Sequence, residues 1–104
     1  MGAYQTLSAR DLDALRAHTA GLTLIDVRTP EETWEGVIDG ALQINIYDPA
    51  FADQIEKLDK SKPYAVYCRS GSRSAAACGL MASRGFKQLY NLTGGYMGWA
   101  MVHR

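Results

Sequence analysis

Short apolar runs alternate along this chain with segments that have helical patterns. The strongest run, residues 22–27 (Leu-Thr-Leu-Ile-Asp-Val), is almost continuously apolar, as is typical of a strand covered on both faces of a sheet. The predicted strands are residues 4–7, 22–27, 42–46, 64–67 and 88–92, and the predicted helices begin at Ser8, Thr29, Asp48, Ser72 and Gly94. This alternation predicts an α/β fold with a central, mostly parallel five-stranded sheet flanked by helices on both faces.

Capping residues mark where several of these helices begin and end. Ser8 is followed three residues later by Asp11, which is close to a capping box. Thr29 precedes Pro30 and two glutamates, a pattern that favours the first turn of a second helix. The helix that begins near Ser72 is expected to end at Gly85.

The chain has 104 residues, which is enough for one domain and too few for two, so we expect a single domain over residues 1–104. No apolar run approaches the ~18 residues that cross a bilayer, and the N-terminus lacks a signal-peptide pattern. We therefore predict a cytoplasmic protein with no membrane partner. Residues 1–6 match the myristoylation pattern, although an ordinary or cloning-derived Gly2 explains the match more simply.

The two cysteines are predicted to be free thiols in a reducing compartment. If a helix begins near Ser72, Cys78 lies about 9 Å along its axis, which exceeds the ~7 Å between Cα atoms that a disulfide allows. The only histidines, His18 and His103, are not spaced from each other or from the cysteines as zinc ligands are, so we expect no metal site. Cys78 follows three alanines on a helix and is interpreted as a core residue.

The charges are segregated along the chain, although the formal net charge is zero. Residues 1–59 hold all eleven acidic residues and four basic ones, a net charge of −7. Residues 60–104 hold seven basic residues and no acid, a net charge of +7. This asymmetry favours an anionic ligand near the basic half, but folding could equally interleave the two halves and cancel it. We expect no nucleic-acid partner.

Cys68 lies where a predicted strand ends and a short loop leads into a helix. The edge formed by the carboxyl ends of parallel strands is where such sheets bind ligands. Backbone N–H groups at a helix start, a glycine that lets the loop curl, hydroxyls and arginines all stabilise a thiolate and a bound anion. We predict a catalytic Cys68 and substrate-binding Arg69, Ser70, Gly71, Ser72, Arg73 and Ser74. The alternative is a buried cysteine followed by an ordinary helix cap.

Residues 68–74 (Cys-Arg-Ser-Gly-Ser-Arg-Ser) resemble the active-site loop of the rhodanese-type sulfurtransferases. Three further segments resemble signatures of that family in the same order: residues 25–32, residues 36–41, and residues 91–95 with Trp99. The chain departs from the family pattern at Val37, where a histidine is usual, and at Asp39, where a proline is usual. Because these positions serve the scaffold, we expect little loss of function.

The resemblance implies a single-domain thiosulfate sulfurtransferase that works through a persulfide on Cys68. It also implies a small anionic sulfur donor, an acceptor that is cyanide, a thiol or a protein cysteine, and no cofactor. Asp26 and Arg28 are interpreted as a structural ion pair, and Tyr96 and Trp99 as core or pocket wall.

Two other functions remain open from the sequence. Phosphatases and arsenate reductases of the same fold use a loop one residue longer, whereas Arg73 follows Cys68 with four residues between them, which favours sulfur transfer. A non-catalytic module that binds a partner, or a sulfur carrier, is the second alternative, although such modules commonly lose the cysteine.

Overall fold

The computed structural model describes residues 3–104; the first two residues of the proposed myristoylation pattern, Met1 and Gly2, lie outside it. The strands are β1 (Gln5–Leu7), β2 (Thr23–Asp26), β3 (Leu42–Gln43), β4 (Pro63–Tyr67) and β5 (Gln88–Leu92). The helices are α1 (Ala9–His18), α2 (Phe51–Glu56), α3 (Ser72–Ser83) and α4 (Gly95–Val102), with one 3₁₀ turn at Glu32–Glu35. None of the helices between residues 3 and 104 has the length and hydropathy that a membrane-spanning segment requires.

The five strands form one sheet in the order β1-β5-β4-β2-β3, and every neighbouring pair is parallel. The predicted α/β fold is therefore confirmed, and the sheet is wholly parallel in the described residues. β4 lies at the centre, so the residues that follow it are flanked by the ends of β2 and β5. The carboxyl ends of these three strands form the edge that carries the cysteine loop, defined here as residues 68–74.

Apolar side chains cover both faces of the sheet, as the continuous run of β2 predicts. On one face, Val66 of β4 packs in a cluster with Ala77 and Met81 of α3. On the other face, Tyr67 packs in a second cluster with Leu12 of α1. Because alternate residues of a strand point to opposite faces, β4 is held from both sides and its end is fixed.

The predicted helix boundaries hold where local capping decides them. The Ser8 hydroxyl accepts a hydrogen bond from the backbone N–H of Asp11 at 3.2 Å, so α1 begins as expected. The helix α3 begins at Ser72 as predicted and ends at Ser83, with Gly85 in the left-handed region at φ +96°.

The prediction of a helix that begins at Thr29 is wrong, because only the 3₁₀ turn at Glu32–Glu35 forms there. Thr29 and Glu32 do form reciprocal capping bonds, from Thr29 N–H to Glu32 Oε1 at 3.1 Å and from Glu32 N–H to Thr29 Oγ1 at 3.3 Å. The Arg28 guanidinium, however, donates to the carbonyls of Glu32 at 3.3 Å and Gly36 at 2.7 Å. The buried arginine thus uses carbonyls that a longer helix would need.

Two other predicted elements are shorter in the structure. The strand predicted over residues 42–46 is limited to Leu42–Gln43, although the N–H groups of Ile44 and Ile46 still bond to the carbonyls of Asp26 and Val27. The helix predicted to begin at Asp48 begins at Phe51, since the Asp48 carboxylate accepts the N–H of Ala50 and stabilises a turn first. These differences lie beside the site and leave its edge of the sheet intact.

Candidate active site

Cys68 directly follows β4 and lies at the bottom of the loop, with only 1% of its surface exposed. The backbone N–H of Gly71 points at Cys68 Sγ from 3.1 Å, and the Ser74 hydroxyl lies 3.4 Å from the same sulfur. Gly71 adopts φ +115°, which a residue with a side chain rarely adopts, so the loop can curl around the sulfur. The predicted arrangement of a thiol below a helix start is therefore present.

The N-terminus of α4 holds the backbone of the loop from outside. The N–H of Tyr96 bonds to the Cys68 carbonyl at 2.8 Å, and the N–H of Met97 bonds to the Arg69 carbonyl at 3.1 Å. These bonds occupy the first loop carbonyls, so that N–H groups rather than carbonyls face the sulfur. The approach requires glycine at Gly95, where a Cβ atom would lie 2.5 Å from the Arg69 carbonyl carbon.

Hydrogen bonds lower the pKa of the Cys68 thiol below its usual value. Burial raises this pKa, but the Ser74 hydroxyl and the backbone N–H groups of Ser74, Gly71 and Ser70 lower it by more. The other thiol, Cys78, is also free and buried, and burial alone raises its pKa to about 12. The two thiols thus differ in the direction of their pKa shifts, and the catalytic role of Cys68 stays a prediction.

Arg73 fastens the cysteine loop to the 3₁₀ turn after β2. Both of its terminal nitrogens lie 2.7 Å from the two carboxylate oxygens of Glu32. This bidentate pair is the largest cause that lowers the pKa of Glu32, to about 2, and it also raises the pKa of Arg73. In the structure Arg73 thus braces the loop, and its role in binding substrate stays a prediction.

The remaining loop side chains lie at the mouth of the site. Ser70 and Ser72 are exposed, and half of the Arg69 side chain is in solvent. The Arg69 Nε atom is 3.7 Å from a Glu35 oxygen, so this pair is loose compared with the one at Arg73. Arg69 is the loop arginine whose guanidinium can turn toward an anion, and the substrate contacts of these residues stay predictions.

Folding interleaves the acidic and basic halves of the chain. Acidic residues of the first half pair with basic residues of the second half in Glu32–Arg73, Glu35–Arg69, Glu56–Lys60 and Glu56–Arg84. Of the two interpretations of the charge asymmetry, the structure favours cancellation through pairing. Because the Arg73 pair is tight and the Arg69 pair is loose, the positive character of the site comes mainly from its backbone N–H groups and Arg69.

Asp26 and Arg28 form the structural ion pair that the sequence suggests. Their side chains are fully buried and joined by bonds of 2.8 to 3.2 Å, and Arg28 lies over the ring of Tyr96 at 4.5 Å. Arg28 also bonds to the backbone around the 3₁₀ turn that carries Glu32. The pair thus supports the turn on which the loop is braced.

Two residues of the site were not predicted: Glu32 as the partner of Arg73, and Asn91. The Asn91 side chain, on β5, contacts both the Ser74 hydroxyl and the Gly71 carbonyl. For Asn91 the sequence held a signal, since it is a polar residue within a buried strand, which is uncommon without a partner. For Glu32 it held none, because its position three residues after Thr29 indicates a capping bond and not the pair with Arg73.

The sequence and fold are similar to those of known proteins. The Rhodanese-like domain family matches residues 8–101. A sulfurtransferase of Allochromatium vinosum is 33% identical over 94 residues, which cover 90% of this chain and 86% of that protein. The thiosulfate sulfurtransferase GlpE of Pseudomonas entomophila is 30% identical over 103 residues, which cover 99% and 91%.

A solved structure agrees with this similarity. A rhodanese-related protein of Thermoplasma volcanium superposes with a TM-score of 0.82 at 30% identity, covering 95% of this chain and 93% of that one. The span matched by the family includes the whole cysteine loop together with Glu32 and Asn91.

Proposed function

Because the chain belongs to the Rhodanese-like domain family, we propose that it is a thiosulfate sulfurtransferase that carries the transferred sulfur on Cys68. The observation that carries this proposal is the Cys68 thiol, whose pKa is lowered by the hydroxyl and N–H donors around it. A sulfur ionised in this way is a nucleophile, and the same donors suit an anion that approaches it. Relatives named as sulfurtransferases support the reaction class.

In the first step, the Cys68 thiolate attacks the outer sulfur of thiosulfate. A bond forms between Cys68 Sγ and that sulfur while the bond between the two sulfurs of thiosulfate breaks. The electron pair of the broken bond leaves with sulfite. The outer sulfur keeps its negative charge in the new persulfide, and the charge of the Cys68 thiolate leaves with sulfite, so the charges balance and no oxidant or cofactor is needed.

In the second step, a thiophilic acceptor attacks the outer sulfur of the persulfide. With cyanide the products are thiocyanate and the Cys68 thiolate, and with a thiolate they are a new persulfide and the same thiolate. The enzyme thus alternates between two covalent states, which predicts ping-pong kinetics. We propose that in the cell the acceptor is a thiol or a protein cysteine, and that the reaction takes place in the cytoplasm.

The loop supplies the electrostatic part of catalysis. The Gly71 N–H, 3.1 Å from Cys68 Sγ, stabilises the thiolate before the attack. We propose that the N–H groups of the loop then hold the charged outer sulfur, and that Arg69 and the exposed hydroxyls of Ser70 and Ser72 hold the sulfonate of the donor. Arg73 keeps the loop in this shape through Glu32.

The direct test is the mass of the protein after incubation with thiosulfate and removal of small molecules. Wild-type protein should gain one sulfur atom, about 32 Da, as a persulfide. Cys68→Ser should gain nothing, and Cys78→Ser should gain the same mass as the wild type. An unchanged wild-type mass, or sulfur uptake by Cys68→Ser, would refute the proposal.

Turnover distinguishes this enzyme from the alternatives left open by the sequence. Steady-state formation of thiocyanate from thiosulfate and cyanide should exceed hydrolysis of an aryl phosphate. The opposite result would favour the phosphatase chemistry of related folds. Sulfur loading without repeated turnover, across several donors and acceptors, would instead identify a sulfur carrier.

A further inference from the structure

Asn91 is a polar residue on an otherwise apolar face of the sheet. Its neighbours on that face, Leu89 of β5 and Val66 of β4, belong to the apolar cluster that packs under α3. Only 5% of the Asn91 surface is exposed. A buried carboxamide costs free energy unless each of its groups has a partner, so its contacts indicate what it is there to do.

The carboxamide connects two parts of the cysteine loop. Its Nδ2 group donates to the Gly71 carbonyl at 3.2 Å, which leaves Oδ1 facing the Ser74 hydroxyl at 2.6 Å. The reverse amide orientation would place two oxygens together at Gly71. The Gly71 carbonyl also receives the helical bond from the Ala75 N–H at 3.1 Å, so it has a donor even without Asn91.

The Ser74 hydroxyl has one proton and three acceptors within reach. They are Asn91 Oδ1 at 2.6 Å, the Gly71 carbonyl at 3.1 Å and Cys68 Sγ at 3.4 Å. Because Ser74 is fully buried, water cannot easily supply a second donor. When Ser74 donates to the sulfur, Asn91 Oδ1 loses its partner, and when it donates to Asn91 the sulfur loses that bond.

The charge on Cys68 Sγ decides between these two arrangements. A thiol can donate its own S–H to Ser74 Oγ, so the Ser74 hydroxyl goes on donating to Asn91 Oδ1. A thiolate is a charged acceptor and attracts the Ser74 proton more strongly than a carboxamide does. In the persulfide, Sγ is bonded to two atoms and the charge lies on the outer sulfur, so Sγ is a weak acceptor and the Ser74 hydroxyl again donates to Asn91 Oδ1.

We propose that Asn91 is a positioning residue whose Oδ1 accepts the hydrogen bond of the Ser74 hydroxyl whenever Cys68 Sγ is uncharged, and that the hydroxyl turns to donate to Sγ when the thiolate forms. By competing for this hydrogen bond, Asn91 disfavours the bare thiolate relative to the persulfide and thereby favours the sulfur-loaded enzyme. The part of this inference that concerns the persulfide rests on the function proposed above. The competition for the Ser74 proton does not.

The thiol pKa of Cys68 tests the competition without any sulfur transfer. It is measured from the pH dependence of iodoacetamide alkylation, with Cys68 distinguished from Cys78 by peptide mass. Asn91→Leu has a similar shape but no acceptor, and it should lower the pKa of Cys68 by about one unit, the size of one hydrogen bond. Asn91 contacts neither of the charged pairs around the loop, Glu32–Arg73 and Glu35–Arg69, so this variant should leave both in place.

A double-mutant cycle shows whether the effect passes through Ser74. Ser74→Ala should raise the pKa of Cys68, and adding Asn91→Leu to Ser74→Ala should change it no further. Leu89→Val is the matched control, because it alters the same face of β5 but presents no polar atom, and it should leave the pKa unchanged. An unchanged or raised pKa in Asn91→Leu, or a shift that persists with Ser74→Ala, would overturn the proposal.

A second measurement uses the wild-type protein, so it does not depend on how well the variants fold. The NMR signals of the Asn91 side-chain amide should shift on titration with the same midpoint as Cys68. Signals that stay constant through that titration would overturn the proposal.

The sulfur-loaded state gives the remaining readout. At a fixed ratio of thiosulfate to sulfite, and at a pH where unloaded Cys68 is a thiolate in both proteins, Asn91→Leu should reduce the equilibrium constant for persulfide formation about tenfold, which corresponds to the same hydrogen bond. If the wild type forms no persulfide, the proposed function fails while the titrations still decide the role of Asn91. If Asn91→Leu loads as fully as the wild type, the effect on the loaded state is refuted.

Discussion

Replacing Glu32 by glutamine tests how the cysteine loop is braced. The change keeps the shape of the side chain but removes the charge that holds Arg73 through two contacts of 2.7 Å. One of the two contacts then places an amide donor against an Arg73 donor. We expect Glu32→Gln to destabilise the fold and to loosen the loop around Cys68.

The size of the effect follows from the pKa of Glu32, which falls from 4.5 to about 2 in the folded protein. At about 1.36 kcal/mol per pKa unit, this shift corresponds to ~3 kcal/mol. The Glu32 and Arg73 side chains are 23% and 22% exposed, so solvent screens part of this energy. We therefore expect a loss of about 1–2 kcal/mol in the free energy of unfolding, or roughly 5–10 °C in Tm.

The pH dependence of this loss gives a second, independent check. Because the pKa of folded Glu32 lies below its unfolded value, ionised Glu32 stabilises the protein at pH values above about 4.5. That contribution disappears as the pH falls from about 4.5 toward 2, where the carboxylate becomes protonated in the folded state as well. The stability of the wild type should therefore fall toward that of Glu32→Gln over this interval.

Urea unfolding followed by circular dichroism at pH 7 and at several acidic pH values measures both quantities. Glu56→Gln is the control, because Glu56 pairs with Lys60 and Arg84 at an exposed site and its loss should matter less. Equal stability of Glu32→Gln and the wild type at pH 7 would refute the reasoning. A stability difference that persists unchanged at low pH would mean that the carboxylate charge is not its cause.

Four further changes probe the site and the elements around it. Cys78→Ser should leave turnover of thiosulfate nearly unchanged, because burial raises the pKa of Cys78 to about 12; a large loss would contradict this. Gly95→Ala should destabilise the protein in urea and slow turnover, since a Cβ would meet the loop backbone at 2.5 Å and φ is +56°. Gly79→Ala, on an open face of α3, should instead stabilise the protein by ~0.5–1 kcal/mol. A Gly95→Ala variant that is more stable than the Gly79→Ala variant would refute the packing argument. Hydrogen bonds to the Trp99 carbonyl and to Asp13 raise the pKa of His103, whose ring stacks on Trp99. As the pH rises through that pKa, His103 loses a proton and with it one of these bonds, so the stacking should weaken. Trp99 fluorescence, with the other tryptophan replaced by phenylalanine, should titrate in the wild type but not in His103→Ala.

Local sequence patterns predicted the elements whose hydrogen bonds close within a few residues. The capping of α1 by Ser8, the start of α3 at Ser72 and the curl at Gly71 were all confirmed. The exception is the helix predicted at Thr29, where the burial of Arg28 decides the outcome. Its capping pattern is present and its bonds form, but the buried Arg28 uses the carbonyls that would have continued the helix.

The sequence by itself determined the parallel α/β fold and the position of Cys68 between a central strand and a helix. The alternation of apolar runs with helical segments indicates the fold class, and the apolar run before Cys68 with the loop glycine after it indicates the position of the thiol, since both patterns involve residues that are near neighbours in the chain. Only the tertiary structure decided that Arg73 pairs with Glu32 and that Asn91 reaches Ser74. These partners are 41 and 17 residues apart in sequence and meet because the sheet places β2 and β5 on either side of β4. Strand order is set by how the whole core packs, so no local pattern could reveal these contacts.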